Sequence, residues 1–387
     1  MKIVSQTLRA AIEYLGAFGN EASALVFRPL GDQVIMSIHG TSYAEYRCAV
    51  DWPLEQRFAV PLRIPQRLIA TLADDLLVAF SIGSQAKITV DQNVFFSPLN
   101  DIEKLPDPPK VSEGVTFQWD ATKFVPELKA ALASTANGTA KKPFECVRIE
   151  VLPARETIVA SDGRRLSRYE AKANGDNGVR RSDDVNCQIL IHRSTVPLIF
   201  AATKSLGRID IRPGISHVQI ECGRRKAIIP LSEGAFPQWR DALEVIESEP
   251  KRGTAEVDRN EFTRAIKMVK ADAEQSAGAV MMTAHDNELE LVAQCPETGS
   301  YSRAYVRLGK RSASFGPVNI AAKFLLSAAT NWPEGQPMVM EYRGATSPLV
   351  FTRKRFRAFV MPMLIEEPTE TEETKDGNTN AGNLATV

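Results

Sequence analysis

The sequence has little of what enzymatic chemistry is usually built from. Across 387 residues there is no Gly-x-x-x-x-Gly-Lys-Ser/Thr phosphate loop, no Gly-x-Gly-x-x-Gly fingerprint, no Gly-x-Ser-x-Gly elbow and no His-Glu-x-x-His pair. Nucleotide hydrolysis, dinucleotide redox chemistry, serine hydrolysis and zinc proteolysis therefore lose their usual sequence carriers. The four histidines, at 39, 192, 217 and 285, stand apart from one another, which suits surface or hydrogen-bonded structural roles. The five cysteines, at 48, 146, 187, 222 and 295, are odd in number and contain no Cys-x-x-Cys pair, so neither a disulfide framework nor a zinc site is indicated. No apolar run approaches the roughly 18 residues of a membrane span, and Met1 to Phe18 lacks the apolar core of a signal peptide. A cytoplasmic protein with reduced thiols, no metal and no cofactor is expected.

Net charge is also missing, because 47 basic residues balance 47 acidic ones. The balance is uneven along the chain. Residues 1–112 carry 10 basic and 12 acidic side chains, residues 113–247 carry 20 and 17, and residues 248–365 carry 16 and 12, giving −2, +3 and +4. From Glu366 onward six acids face only Lys375, which contributes −5 and brings the total to zero. The body is thus mildly basic, and clustering rather than net charge decides whether phosphate is a partner.

What the chain does have is length, 44% hydrophobic content and an internal repeat. That is enough for two or three domains with their own cores. First-helix starts are expected at Ser5, Asp120 and Asp258, each a good N-cap residue. The apolar stripes after these starts are Leu8, Ile12, Leu15; Phe124, Leu128, Leu132; and Phe262, Ile266, Val269. Second helices are expected over 65–72, 194–204 and 321–330, starting 129 and 127 residues apart. Between them, 33–38, 145–151, 217–221, 288–293 and 348–352 alternate as half-buried antiparallel strands do. The pattern implies an α+β fold of three repeated domains, at 1–112, 113–247 and 248–365, with helices on one sheet face. Linkers are expected at Pro-rich 105–110 and at 247–253. The polar residues 366–387 read as a disordered acidic tail.

Two constellations are candidates for acid chemistry, Asp162 and the pair Asp183-Asp184. Both lie in polar stretches, Asp162 beside Gly163 and the pair beside Arg180-Arg181 in a Gly/Asn-rich segment, where turn formation is the better reading than catalysis. The helices carry basic residues off their apolar stripes: Arg9; Lys123 and Lys129; Arg264, Lys267 and Lys270. The second helices add Arg193, Lys204 and Lys323. Any one helix reads as a solvated face, but three such helices turned toward one axis would form a phosphate-facing surface.

Three segments carry a family resemblance. Ala160-Ser161-Asp162-Gly163-Arg164-Arg165-Leu166, Phe236-Pro237-Gln238-Trp239 and Val360-Met361-Pro362-Met363-Leu364 resemble, in that order, the Ala-Thr-Asp-Gly-His-Arg-Leu, Phe-Pro-Asp-Tyr/Trp and Val-Met-Pro-Met-Arg segments of the bacterial β sliding clamps. The clamp is the processivity subunit of the replicative DNA polymerase. Ser97-Pro98-Leu99 with Asp101, and Ser347-Pro348-Leu349-Val350, are weaker echoes. Arg164 stands at the family's His, Leu364 at its basic residue, and Glu244 near a Pro that borders the peptide groove. The resemblance implies three DNA-clamp domains, a non-enzymatic role, and a head-to-tail homodimeric ring that encircles duplex DNA without reading its sequence. It also implies a groove of Gly163, Arg164, Arg165, Leu166, Val360, Met361, Pro362 and Met363 for short peptide motifs of polymerase and clamp-loader subunits. The basic residues named above would face the duplex. A clamp paralogue serving a mobile element or specialised polymerase, and a small-molecule enzyme of repeated α+β domains, are the alternatives.

Overall fold

The computed structural model describes residues 1–112, 115–138, 141–172, 186–204, 207–275, 277–295, 297–311 and 315–364. The acidic tail and the Asp183-Asp184 pair lie outside the described residues.

One order of elements, β-α-β-β-β-β-α-β-β-β, occurs three times. The first pass is β1 (Lys2–Val4), α1 (Ser5–Gly16), β2 (Ala24–Leu30), β3 (Gln33–Ile38), β4 (Tyr43–Ala49), β5 (Phe58–Pro61), α2 (Arg63–Ile69), β6 (Leu77–Ile82), β7 (Ala86–Val90) and β8 (Asn93–Ser97). The second is β9 (Phe117–Asp120), α3 (Ala121–Leu132), β10 (Cys146–Val151), β11 (Arg155–Ser161), β12 (Arg165–Lys172), β13 (Cys187–His192), α4 (Val196–Thr203), β14 (Arg208–Pro213), β15 (His217–Cys222) and β16 (Arg225–Pro230). After an additional helix, α5 (Trp239–Ser248), the third is β17 (Gly253–Val257), α6 (Arg259–Glu274), β18 (Ala279–His285), β19 (Glu288–Cys295), β20 (Ser300–Arg311), β21 (Phe315–Ala321), α7 (Ala322–Thr330), β22 (Met338–Tyr342), β23 (Leu349–Arg353) and β24 (Phe356–Val360).

The first helices start where capping chemistry or a substitute for it exists. Asp120 accepts from the Thr122 amide, and Asp258 from those of Asn260 and Glu261, which satisfies amides that have no intrahelical partner. Ser5 does not cap. The strand β1 runs straight into α1, the amides of Ser5 and Gln6 donate to the Leu76 and Asp74 carbonyls, and the Ser5 hydroxyl donates to the Ala73 carbonyl. A neighbouring loop thus does the work of a cap. The first helices bury their stripes apart from the half-buried Leu132, Phe262, Ile266 and Val269 being fully enclosed in the third, and the helices pack in the pairs α1–α2, α3–α4 and α6–α7.

The sheets run continuously from one repeat to the next. Strand β4 pairs with β16, and β12 pairs with β24, both antiparallel. In each case the fourth strand of one repeat joins the eighth strand of the repeat after it. Side chains tie the same seams: the Tyr14 hydroxyl donates to the Lys226 carbonyl across the first, and Arg353 meets Glu127 at 2.6 Å across the second.

The segment expected to be a linker, 247–253, begins inside α5, whose Trp239, Leu243 and Ile246 recur at helical spacing. With Val159, Phe236, Val350, Phe359 and the partly buried Leu166 and Leu190 they form a second, smaller cluster. The helix α5 therefore covers the face of the β12–β24 seam opposite the one that carries α3 and α7.

Candidate functional site

The site lies at one end of the second seam and begins with a turn. The Asp162 carboxylate accepts the amides of Arg164 and Arg165, each at 2.9 Å, and the Arg165 Nε at 2.8 Å. Gly163 between them has φ +87°, a left-handed conformation that glycine adopts without steric cost. Asp162 thus serves as a turn former, holding the Arg164 and Arg165 amides and the Arg165 side chain. Among the described residues no three His, Cys, Asp or Glu side chains converge on a point where a metal could be held.

Register then sorts the expected groove residues onto two faces. Arg165 pairs with Val360, and Leu166 with Phe359. Successive strand residues alternate sides, so Leu166 and Val360 cannot wall one groove. Val360, 2% exposed, faces α7, as does Arg165, whose guanidinium lies 4.7 Å from the centre of the Phe324 ring. Leu166 and Phe359 face α5. The resemblance pointed to Val360 where strand alternation places Phe359.

The helix α5 is fastened at both ends. Arg240 pairs with the fully buried Glu150 carboxylate, which also meets Arg148 at 2.5 Å. One Glu247 oxygen accepts from Arg168 of β12 at 2.9 Å and from Arg357 of β24 at 2.7 Å, so a single carboxylate bridges the seam. Glu244 lies on the same face, in a hollow of about 420 Å³ with Arg155, Arg168 and Trp239.

Beyond Val360 the chain continues as an exit segment. The Met361 amide donates to the Arg164 carbonyl at 2.9 Å, and the Met363 amide to the Asn319 carbonyl at 2.7 Å. The segment therefore bridges the turn of the second repeat and β21 of the third. Beside it opens a cleft of about 520 Å³, lined by Arg164, Glu274, Gly278, the first residues of α7 and Met361 to Leu364. Its apolar wall is Ala322, Phe324 and the two methionines, and its basic rim is Arg164 and Lys323. Leu364 is 80% exposed at the mouth. The turn and the exit segment thus meet, as their pairing in the sequence suggested, while Ala322, Lys323 and Phe324 complete the walls. Lys323, expected to face a duplex, has its Nζ 5.3 Å from the Phe324 ring centre. At the opposite end of the seam a second hollow, about 730 Å³, gathers Thr122, Lys123, Glu127, Arg353, Lys354 and Arg355. Burial holds the Glu127 carboxyl above its ordinary range despite the neighbouring Arg353.

The remaining basic candidates divide by partner. Arg9 donates to the Leu72 carbonyl and lies 3.2 Å from Asp74; Arg193 donates to the Ala136 carbonyl; Lys270 pairs with Glu274 at 3.1 Å; and Lys204 sits 3.9 Å from Glu13 across the first seam. Arg9 and Arg193 are thus tied to backbone carbonyls, while Lys204 and Lys270 have acidic neighbours at the surface. Lys129, Arg264 and Lys267 are exposed.

Known proteins share this architecture. No family model matches the sequence. A curated relative, the "Beta sliding clamp" of Chlamydia pneumoniae, is 22% identical over 242 residues, which is 62% of this chain and 63% of that protein. The match thus spans less than two thirds of the relative's length. Among solved structures, the DNA polymerase III β subunit of Thermotoga maritima aligns with TM-score 0.78 at 15% identity, covering 94% of this chain and 99% of that one. The β clamp of Helicobacter pylori aligns with TM-score 0.80 at 14% identity, covering 94% and 100%. The DNA polymerase III β subunit of Pseudomonas aeruginosa gives 0.79 at 15%, with 94% and 99% covered. Over nearly its whole length, this chain has the fold of the bacterial β sliding clamps.

Proposed function

We propose that the protein is a DNA sliding clamp: two copies close head to tail into a ring around duplex DNA and tether a polymerase and other factors to it. The three repeats are its domains, at 1–112, 113–247 and 248–365, and the protein carries out no chemistry of its own. The observation that carries this reading is the rule by which the repeats join. Within the chain the fourth strand of a repeat pairs with the eighth strand of the repeat after it, twice. Among the described residues two strands of this kind are left without that partner: β8 pairs only with β7, and β20 is open along 300–307 on the side away from β19. Both present apolar side chains, with Phe96 63% and Tyr305 53% exposed. Open apolar edges are a liability that closure removes. A second copy placed by the same rule joins β20 to β8 at both ends and closes on itself.

A ring holds DNA topologically, so its phosphate contacts can be few, mobile and blind to sequence. This suits a body of only mild positive charge. Lys129, Arg264 and Lys267 are the cations for such contacts. Partner peptides of polymerase and clamp-loader subunits dock in the cleft beside Met361, Pro362 and Met363, with Gly163 and Arg164 at its edge and Leu166 on the far side of the turn. Methionine adapts to varied apolar anchors. Two or three buried anchors at about 1.5–3 kcal/mol each, less the cost of ordering the peptide, give affinities near ~1 μM.

Negative-stain imaging of the purified protein tests the reading. Six-lobed rings with an open centre are expected; compact particles without a hole would overturn it.

A further inference from the structure

We propose that the cleft at the exit of β24 is a docking site for the chain's own C-terminal segment, residues 365–387, which competes there with partner peptides; this rests on reading the cleft as the partner-peptide site. The chain leaves the described structure at Leu364, itself part of the cleft wall. Residues 365–387 and the cleft are complementary in charge. Glu366, Glu367, Glu370, Glu372, Glu373 and Asp376 face a single Lys375, whereas the cleft rim offers Arg164 and Lys323. The one acid on that wall, Glu274, is paired with Lys270 at 3.1 Å. Arg164 and Lys323 have no ion-pair partner among the described residues, so both are open to an acidic segment.

The segment also carries apolar anchors, Ile365 at its start and Leu384 and Val387 later, to set against Phe324, Ala322 and the two methionines. Reach is no obstacle. The stretch between Leu364 and Leu384 has a root-mean-square span of ~25 Å if flexible, and the cleft lies at its origin. A tether of that length holds its own end at millimolar effective concentration. An intrinsic dissociation constant of ~0.1 mM would then occupy the cleft about ten parts in eleven and weaken a competing peptide about tenfold. Occupancy set by opposite charges falls with salt.

The test uses two full-length chains labelled with ¹³C at the methionine methyls: the native sequence, and a variant with the five tail glutamates changed to Gln and Asp376→Asn. Raising salt from 50 to 500 mM is expected to shift the Met361 and Met363 signals of the native chain toward their positions in the variant. The core residues Met36 and Met340, both buried, should stay in place. A synthetic peptide of residues 365–387, fluorescein-labelled, should bind the variant about tenfold more tightly than the native chain by anisotropy, and Arg164→Glu with Lys323→Glu should abolish that difference. Equal peptide affinity for the two chains, or Met361 and Met363 signals that ignore both salt and tail charge, would overturn the proposal. Neither readout requires ring closure or DNA, so compact particles in the imaging experiment would remove the clamp reading without deciding this one.

Discussion

Leu243→Ala isolates what α5 does for the second seam. Leu243 is 2% exposed and packs with Val159, Phe236, Trp239, Val350 and Phe359. Truncation removes three carbons, worth about 2.4 kcal/mol at ~0.8 kcal/mol per buried methylene. A residual cavity adds to that, although a surface helix fastened only at its ends can settle and recover part of it. We therefore expect about 3 kcal/mol, at the low end of the ~2–5 kcal/mol seen for such truncations. With three repeats in one chain a single unfolding free energy is poorly defined, so the assay is hydrogen exchange resolved by segment. At about 1.4 kcal/mol per tenfold, α5 amides should exchange about 100-fold faster. Those of α7, on the other face of the same strands, should change by less than about threefold. Comparable losses in α5 and α7 would refute the view that two independent layers cover the seam, and unchanged α5 exchange would refute its fastening by this cluster.

Met363→Ala, which cuts back the cleft wall, should weaken peptide binding while leaving ring assembly intact, and adding Leu166→Ala, on the α5 face, should weaken it further only if the peptide crosses the turn; Val360→Ala, at a buried residue outside the cleft lining, should lower stability by about 1–3 kcal/mol without changing affinity, and fluorescence anisotropy with a partner peptide and thermal melts separate these effects. Replacing Lys129, Arg264 and Lys267 by Gln should flatten the log-log salt dependence of binding to a short linear duplex by about 0.9 per lost phosphate contact, and an unchanged slope would remove these residues from the DNA surface. Glu45 sits at the first seam, opposite Lys226. Burial alone would raise its pKa, but hydrogen bonds from Tyr43 and Arg47 and the nearby positive charges outweigh burial and hold it below the ordinary glutamate value. A depressed carboxylate contributes stability that is present above the unfolded pKa, near 4.5, and is lost as pH falls through the folded value. Glu45→Gln should therefore lower the melting temperature at pH 7 and make the melt less sensitive to acid below pH 4.5, and parallel acid profiles for the two proteins would count against the assignment.

Much of the architecture was legible because local rules and packing agree. Asp120 and Asp258 cap as their side chains allow, and Gln33–Ile38 is a strand with the bounds its alternation suggests. The helix α1 does start at Ser5, but carbonyls of a loop far along the chain, at Leu76 and Asp74, take the place of a side-chain cap, which no local pattern records. The helix α5 was hidden differently. Its apolar spacing at 239, 243 and 246 was present, but Pro250 and the charged residues from 247 onward read as a linker, and the Phe236-Pro237 motif drew attention to its start alone. At the site, the turn and the exit segment were visible as motifs. Their faces were not assigned, although alternation would have placed Phe359 with Leu166 and left Val360 to the other side. Ala322, Lys323 and Phe324 could not be found locally, because they join the site only when β21 delivers the start of α7 beside Met363.

Part of the chain's charge is engaged at the joints between repeats. Some cations hold one repeat to the next, Arg353 on Glu127 and Arg357 on Glu247, with Arg168 on the same Glu247 carboxylate from the other side of the seam. A seam of paired strands tied in this way is stiff, and two stiff seams fix how three similar units are arranged. Function in such a molecule lies in that arrangement and in what its ends and seams leave open. Among the described residues the open parts include the edges of β8 and β20, exposed basic residues on the helices, the apolar cleft with its basic rim, and the two hollows beside Glu127 and Glu244. In a chain built from three copies of one unit, the two joints made by the same strand pairing set how those copies are arranged.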